Sequence, residues 1–349
     1  MKHLSIWTAA LVLGALLAGA VPAPGAPPFY TVTWLGDLGG GFARPFGVND
    51  AGQVVGSSPN AQGRDHAFLW QNGAMQDLGT LGGERSIARA VNSSGQVVGF
   101  AQDEQGRTRA FIWEGGTMRP LGTGEDANGI NDLGQVVGET GGRPCLWDGG
   151  AVEYLQVPAG YWGESARAIN NFGQIVGWAE APDGHTHGVL WQSGHMYDIG
   201  GLLGYGVEST ANAVNGSGQV VGSAGEGSDM RAVLWQNLTV QDLGTPGQST
   251  WADDVNDSQQ VVGRGDSGGW LWEAGVMYNL NDYLVGGAAS GRVSKAYGIN
   301  SRGQIVGTGS DPAGRGGALL LTPVPEPSSL TALLCGLGGM AGIVRYRRR

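Results

Sequence analysis

The chain is 349 residues long, carries 66 Gly and 15 Pro, and only 14% of it is charged. Its net charge is −10; without Lys2 and the terminal Arg345, Arg347, Arg348 and Arg349, 15 of its 20 basic residues face 29 or 30 acidic ones, a balance that argues against nucleic acid, whose phosphate backbone needs a positive footprint. The only cysteines are Cys145 and Cys335, the second in the C-terminal tail, so the mature chain has no internal disulfide and folds by packing alone.

Residues 1–20 place Lys2 and His3 before an apolar run from Leu4 to Leu17 that ends in Ala18-Gly19-Ala20, the layout of a secretory signal cleaved after Ala20. A Pro-rich spacer, residues 21–28, follows. From Phe29 onward four strand patterns recur in fixed order. Strand a is small and apolar, as in Ala88-Arg89-Ala90-Val91 or Ala166-Arg167-Ala168-Ile169, and runs into an asparagine at Asn49, Asn92, Asn131, Asn170, Asn215, Asn256 and Asn300, at intervals of 39 to 45 residues. Asn49-Asp50-Ala51-Gly52 fits a type I turn closed by a left-handed residue, so each copy is a tight hairpin into strand b, Gln-Val-Val-Gly or a close variant. The sixth copy has Gln259 in place of that glycine, at a cost of roughly 1 kcal/mol. Strand c ends at Trp70, Trp113, Trp147, Trp191, Trp235 and Trp272, and at Leu321 in the last copy. Strand d is of the Met75-Gln76-Asp77-Leu78-Gly79 type. Period-2 alternation bounded by Gly and Asn marks half-buried antiparallel strands.

The ends of the repeat set the architecture. A strand-d match, Thr33 to Gly39, precedes any a, b or c strand, whereas the last repeat stops after strand c. Joining the two completes the seventh unit and removes the exposed edges of a linear stack. The expected fold is an all-β, seven-bladed β-propeller of four-stranded repeats over residues 29–322, closed by its N-terminal strand; the alternative is a linear β-solenoid. Residues 323–349 form a separate tail. In it an apolar stretch from Leu330 to Val344, short for a span of roughly 20 residues, ends in an arginine cluster that fits a cytoplasmic stop.

Pro325-Glu326-Pro327, the short span and the terminal arginines resemble the PEP-CTERM sorting signal of Gram-negative bacteria. The resemblance implies transient inner-membrane anchoring, cutting by a transpeptidase-like exosortase near the Pro-Glu-Pro, and passage to the cell surface, usually in organisms that make exopolysaccharide. His66-Ala67-Phe68-Leu69-Trp70 with Met75, Asp77-Leu78-Gly79-Thr80-Leu81-Gly82-Gly83 and Val91-Asn92 resembles the HAF family of extracellular repeats. It implies an extracellular location and no particular reaction.

Several constellations are expected to be structural. The repeated tryptophans read as inter-blade core, because large aromatics dominate cores, and Cys145, standing where Phe68 and Phe111 stand in other copies, reads as a small core hydrophobe. The basic residue four before the tryptophan (His66, Arg109, Arg143, His187, Arg231) and the aspartate of strand d (Asp37, Asp77, Asp198, Asp242) read as a repeated hydrogen-bonded pair. His185 and His187 lie at the opposite end of strand c from His195, so no metal is expected there. Gly265-Asp266-Ser267-Gly268-Gly269 matches the nucleophile segment of trypsin-like proteases, but a triad is a matter of geometry and the context is a repeat loop.

Loop length carries the functional expectation. The a-to-b and c-to-d turns are uniformly short, while the b-to-c and d-to-a loops vary, and those two classes emerge on one face of the ring. Tyr161, Trp162, Tyr205 and Trp251 stand outside the repeat register there, among Asp103, Glu104, Glu180, Asp183, Glu226 and Asp229, as candidates to stack sugars, with Ca2+ conceivable through the carboxylates. The expected role is an exported, surface-sorted binding or structural propeller of the extracellular matrix, with extracellular polysaccharide as partner. The alternative is a polysaccharide lyase or hydrolase, against which no spaced pair of carboxylates stands out, and no catalytic residue is assigned.

Overall fold

In the computed structural model, which describes residues 27–325 apart from 123–124, 205, 228, 238 and 245–247, each repeat turns at its asparagine. Asn49 Oδ1 accepts the backbone N–H of Ala51 at 3.1 Å and of Gln53 at 3.0 Å, while Gly52, at φ +76°, donates to the Asn49 carbonyl at 2.9 Å. In the sixth copy Gln259 holds the same left-handed conformation, φ +64°, as its position in the repeat demands. The c-to-d turns are two residues long, with both at positive φ in Asn72-Gly73 (+52° and +83°), the type I′ geometry whose twist matches a hairpin.

These hairpins assemble seven four-stranded antiparallel sheets, each in the order a-b-c-d. Blade 1 is Arg44–Val48, Val54–Pro59, Asp65–Gln71 and Ala74–Asp77. Blade 7 takes strands a to c from Arg292–Ile299, Ile305–Ser310 and Gly316–Pro323 and its strand d from Tyr30–Trp34, in register from Tyr30↔Pro323 to Trp34↔Leu319. The chain is thus a closed seven-bladed β-propeller, and the linear solenoid is excluded. Residues Phe29–Pro323 make up this unit; the expected signal sequence over 1–20, and the tail from Glu326 onward with its apolar stretch, lie outside the described residues. Among the described residues no helix is long and apolar enough to cross a membrane.

The core sits between blades. Phe68 and Trp70 of blade 1 pack on Ala318 and Leu320 of blade 7, and Leu69 and Leu78 of blade 1 pack on Ala88, Phe111 and Trp113 of blade 2. Five of the six repeated tryptophans are buried, Trp272 is half-buried, and Leu321 is wholly buried in its place, as core residues should be. Cys145 is fully buried among apolar neighbours, which pushes its thiol up to about 12 and makes it inert.

Two backbone features explain the fixed letters of the repeat. Every strand a carries a β-bulge at the third residue before its asparagine, where the register to strand b slips by one. The bulge drives a strand-a carbonyl onto the glycine that ends Gln-Val-Val-Gly: a Cβ on Gly56 would lie 2.1 Å from the Arg44 carbonyl oxygen, and one on Gly222 would lie 1.8 Å from that of Thr210. No other residue fits. Each asparagine Nδ2 also donates to the asparagine carbonyl of the next blade, Asn49 to Asn92 at 2.9 Å and so around the ring until Asn300 donates to Asn49 at 2.9 Å. The same Nδ2 donates to the glutamine four residues on, whose own Nε2 reaches the polar residue after strand c's tryptophan, for example Gln53 to Gln71 and Gln96 to Glu114. Asn, Gln and that polar residue are one hydrogen-bond relay repeated seven times.

Candidate functional site

The bulge aims one side chain per blade at the central channel, and there the repetition stops. Phe46, Arg89, Asn128, Arg167, Asn212, Asp253 and Tyr297 occupy this position in blades 1 to 7. Two residues earlier in strand a, Asp126, Trp251 and Lys295 extend the wall toward the variable loops. Bulges near functional sites re-aim a side chain, and here seven of them present seven points of a non-repeating wall.

Charge and aromatic surface are sorted around that wall. Phe46 and Tyr297, from adjacent blades, lie 6.3 Å apart between ring centres, and the Arg89 guanidinium sits 6.0 Å over Phe46 and 5.5 Å over Phe100. Arg89 donates to Asp126 at 3.0 Å, Arg264 bonds Asp253 and lies 5.7 Å over Trp251, and Arg167 bonds the side-chain oxygen of Asn212. Asn128 and Asn212 each donate to an alanine carbonyl of the next blade. Three buried polar atoms of this wall are left without a partner: Arg89 Nε, Asp126 Oδ1 and Asp253 Oδ2. Enclosure raises Asp126 and Glu139, which pair across strands a and b of blade 3, and takes Asp253 up to about 6 and Asp254 up to about 7. Arg167 is open to channel water but ringed by protein, and that desolvation, with Arg89 beside it, lowers its guanidinium.

Asp254 therefore has a thermodynamic signature. Its oxygens take only the N–H groups of Val255 (2.8 Å) and Ile299 (2.9 Å), so burial dominates and the folded protein keeps a proton that the unfolded chain, with an aspartate near 4, releases. Stability contributed at low pH is then lost between about pH 4 and 7, on the order of 2 kcal/mol. Thermal unfolding of the wild type at pH 5 and pH 7.5 should show a larger loss than in Asp254→Asn, where that proton is absent; parallel pH slopes would refute the assignment.

The sequence-predicted residues are placed as follows. Tyr161 is half-buried against Val137, Ala166 and Ile169, and its hydroxyl donates to Asp198 at 2.9 Å, so burial and that carboxylate push it up to about 12. Trp162 is 48% exposed at the start of strand a of blade 4 (Trp162–Ile169), with its indole N–H on Glu180. Tyr205 lies outside the described residues. Trp251 is not outside the repeat register: it belongs to strand a of blade 6 (Thr250–Val255), paired with Arg264 in the channel wall. The three described residues do not form one patch, since Tyr161 and Trp162 sit on blade 4 and Trp251 on blade 6. Pro325 is exposed at the end of the described chain, and Glu326 and Pro327 lie beyond it.

The expected basic–aspartate pair exists in three blades, His66–Asp77 (2.8 Å), His187–Asp198 (2.8 Å) and Arg231–Asp242 (3.0 Å). Elsewhere it is replaced. Arg109 turns to Asp103, and Arg143 stacks 4.2 Å over Tyr154. Asp37 is not the strand-d aspartate: Trp34 holds that register, and Asp37 instead accepts the N–H groups of Gly39 and Gly41 in the loop that follows. Asp266 and Ser267 are merely the two turn residues between strands b and c of blade 6, a blade with no histidine. Two of the loop carboxylates are already engaged, Asp103 by Gln105, Arg107 and Arg109, and Asp183 by His185 and His187. Among the described residues no three His, Cys, Asp or Glu side chains converge to hold a metal ion.

What sequence reading missed is the bulge position. Its signal was present: in the otherwise mostly small and apolar run of four residues that leads into each asparagine, the third residue before it is Phe, Arg, Asn, Arg, Asn, Asp and Tyr in turn. At the opposite mouth the same chain region repeats closely, and the seven asparagine turns enclose a cup of about 380 Å3 walled by β-branched residues such as Val48, Ile130 and Ile299.

No protein-family model and no curated protein matches the chain. Among solved structures it is similar to a puromycin-hydrolyzing peptidase of Mycobacterium tuberculosis, at 12% identity and TM-score 0.50 over 84% of this chain and 56% of that one. It is also similar to the β-propeller domain of the Trilobed protease from Pyrococcus furiosus, at 10% identity and TM-score 0.43 over 74% and 97%, and to the lectin SapL1, at 12% identity and TM-score 0.42 over 68% and 95%. This chain thus spans just over half the length of the peptidase. Identities this low speak to the propeller fold alone.

Proposed function

We propose that the protein is an exported propeller, sorted to the cell surface through its Pro325-Glu326-Pro327 tail by an exosortase-type enzyme, that binds a ligand of the extracellular or exopolysaccharide matrix. The supporting observation is the non-repeating channel wall. Selection for folding alone explains a repeated asparagine, glutamine, glycine and tryptophan; it does not explain seven bulges presenting Phe, Arg, Asn, Arg, Asn, Asp and Tyr. The variable loops at the same end, with Trp162 exposed at the rim, enlarge the surface a polymer meets. Binding is the favoured reading, because the wall combines aromatic faces with polar groups of both signs.

The test is a panel of acidic and neutral polysaccharides titrated into the protein, read by tryptophan fluorescence with Ca2+ and then with a chelator. Saturable, selective binding unaffected by the chelator is expected, without release of reducing ends. A flat response across the panel would remove the matrix-ligand reading, and release of reducing ends or unsaturated products would replace it with an enzyme. The secreted protein should also end near Pro325 by intact mass, and recovery of the whole tail would count against sorting.

A further inference from the structure

The chain is acidic, and several of its cations are spent on surface pairs such as Arg64–Glu84, Arg85–Asp65, Arg231–Asp242 and Arg315–Asp311. Four others gather in the channel. Arg89, Arg264 and Asp253 lie close enough to Arg167 to act on its charge, and Lys295 acts on Asp253. Arg89 and Arg264 have carboxylate partners, Asp126 and Asp253. Arg167 has none: its bond is to the neutral amide oxygen of Asn212. A guanidinium ringed by protein, facing other guanidiniums and holding no carboxylate in an ion pair has its fork open to an added anion.

We infer that the channel is a binding site for a small hydroxylated carboxylate of the hexuronic acid class, its carboxylate held by Arg167 and its ring face laid on Phe46 and Tyr297. The inference rests on the binding role proposed above. Each part of such a ligand has a counterpart. A carboxylate matches the fork of a guanidinium in a way a neutral sugar does not. The Phe46–Tyr297 pair is a contiguous aromatic surface beside Arg89 for the C–H face of a pyranose ring. Asp253 Oδ2, buried and unpartnered, is an acceptor for a ligand hydroxyl. The choice of a carboxylate over a phosphate follows from the other residents of the wall: Asp126, Glu139 and Asp253 tolerate one added negative charge against Arg167 better than two. Solvent reaches this level, since Arg167 is exposed and the Arg89 side chain is 37% exposed.

Calorimetric titration of the purified protein with glucuronate, glucose and inorganic phosphate tests this, on wild type, Arg167→Ala, Arg167→Lys and the surface control Arg64→Ala. Glucuronate should bind one per chain, at least tenfold more tightly than glucose or phosphate, and weaken as salt rises. Arg167→Ala should lose at least tenfold and Arg167→Lys less, with Arg64→Ala unchanged. Removing a cation that holds no ion pair and faces other cations should leave the melting temperature of Arg167→Ala equal to or above wild type, an outcome that a structural role for Arg167 does not give. Equal binding of glucuronate and glucose, tighter binding of phosphate, no glucuronate binding at millimolar concentration, or full binding by a folded Arg167→Ala would each overturn the inference. If a matrix polysaccharide binds but neither glucuronate nor Arg167 affects it, only this inference fails; if glucuronate binds and no polysaccharide does, the matrix role fails and the site stands.

Discussion

Replacing Asn131 with alanine is expected to destabilise the propeller by about 3 kcal/mol, more than any exposed polar substitution, because one buried amide holds four bonds. Its Nδ2 donates to the Asn170 carbonyl of the next blade at 3.1 Å and to Gln135 Oε1 at 2.8 Å, and its Oδ1 takes the N–H groups of Leu133 (3.1 Å) and Gln135 (3.0 Å). The residue is 4% exposed, so water cannot repair the loss, and the Asn170 carbonyl keeps only the bond from Gly173. The melting temperature should fall by roughly 6 °C. Asn131→Asp separates geometry from charge. It keeps Oδ1 but sets an anion against a carbonyl, so its folded-state carboxyl is raised, and its deficit relative to wild type should shrink as pH falls from 7 toward 4. A melting curve for Asn131→Ala within 1 °C of wild type would show that the ring of asparagines is decoration.

That ring shows where sequence reading reached and where it stopped. The turn was legible, because Asn at its first position and Gly at its last are chosen by local backbone geometry, and even the departure at Gln259 carried its conformation with it. The closure was legible too, because a strand-d pattern before the first repeat has nowhere else to pair. What the letters did not reveal was the second hand of each asparagine, the Nδ2 bond to the asparagine carbonyl of the next blade, 39 to 45 positions away in six copies and 251 in the one that closes the ring, since no local signal marks a contact between blades. The candidate site fared worse. Exposed aromatics attract attention in a sequence, yet Tyr161 is tied to Asp198 and serves the basic–aspartate pair of its blade. The informative residues were hidden inside a stretch that reads as small and apolar. Arg89 and Arg167 interrupt that stretch because a bulge, not alternation, decides where they point.

The strand that closes the ring carries the second large effect. A chain beginning at residue 36 should lose cooperative unfolding and self-associate, whereas one beginning at residue 27 should melt as a monomer. Residues Tyr30–Trp34 run antiparallel to Gly316–Pro323 along five pairs, Leu35 donates to the Ala318 carbonyl at 3.0 Å, and Val285 donates to the Tyr30 carbonyl at 2.9 Å. Tyr30 is fully buried with Ile305, Leu319 and Leu321, and Leu35 packs with Phe68 and Leu320 at the junction of blades 1 and 7. Removing the segment uncovers apolar area worth several kcal/mol, at about 25 cal/mol per Å2, and leaves Gly316–Pro323 as an open edge for another chain to pair with. The loss is worse than a matching deletion at the outer strand of a middle blade, because here it also breaks the link between the first and last repeats on which the ring depends. Calorimetry and size-exclusion chromatography of the two chains distinguish the cases. A synthetic peptide of residues 27–38 should restore part of the transition by filling the vacant strand position, since main-chain pairing supplies the affinity and Tyr30 and Leu35 supply the register. Identical melting of the two chains as monomers would mean that three strands suffice for blade 7 and that the circle is held by its asparagines alone.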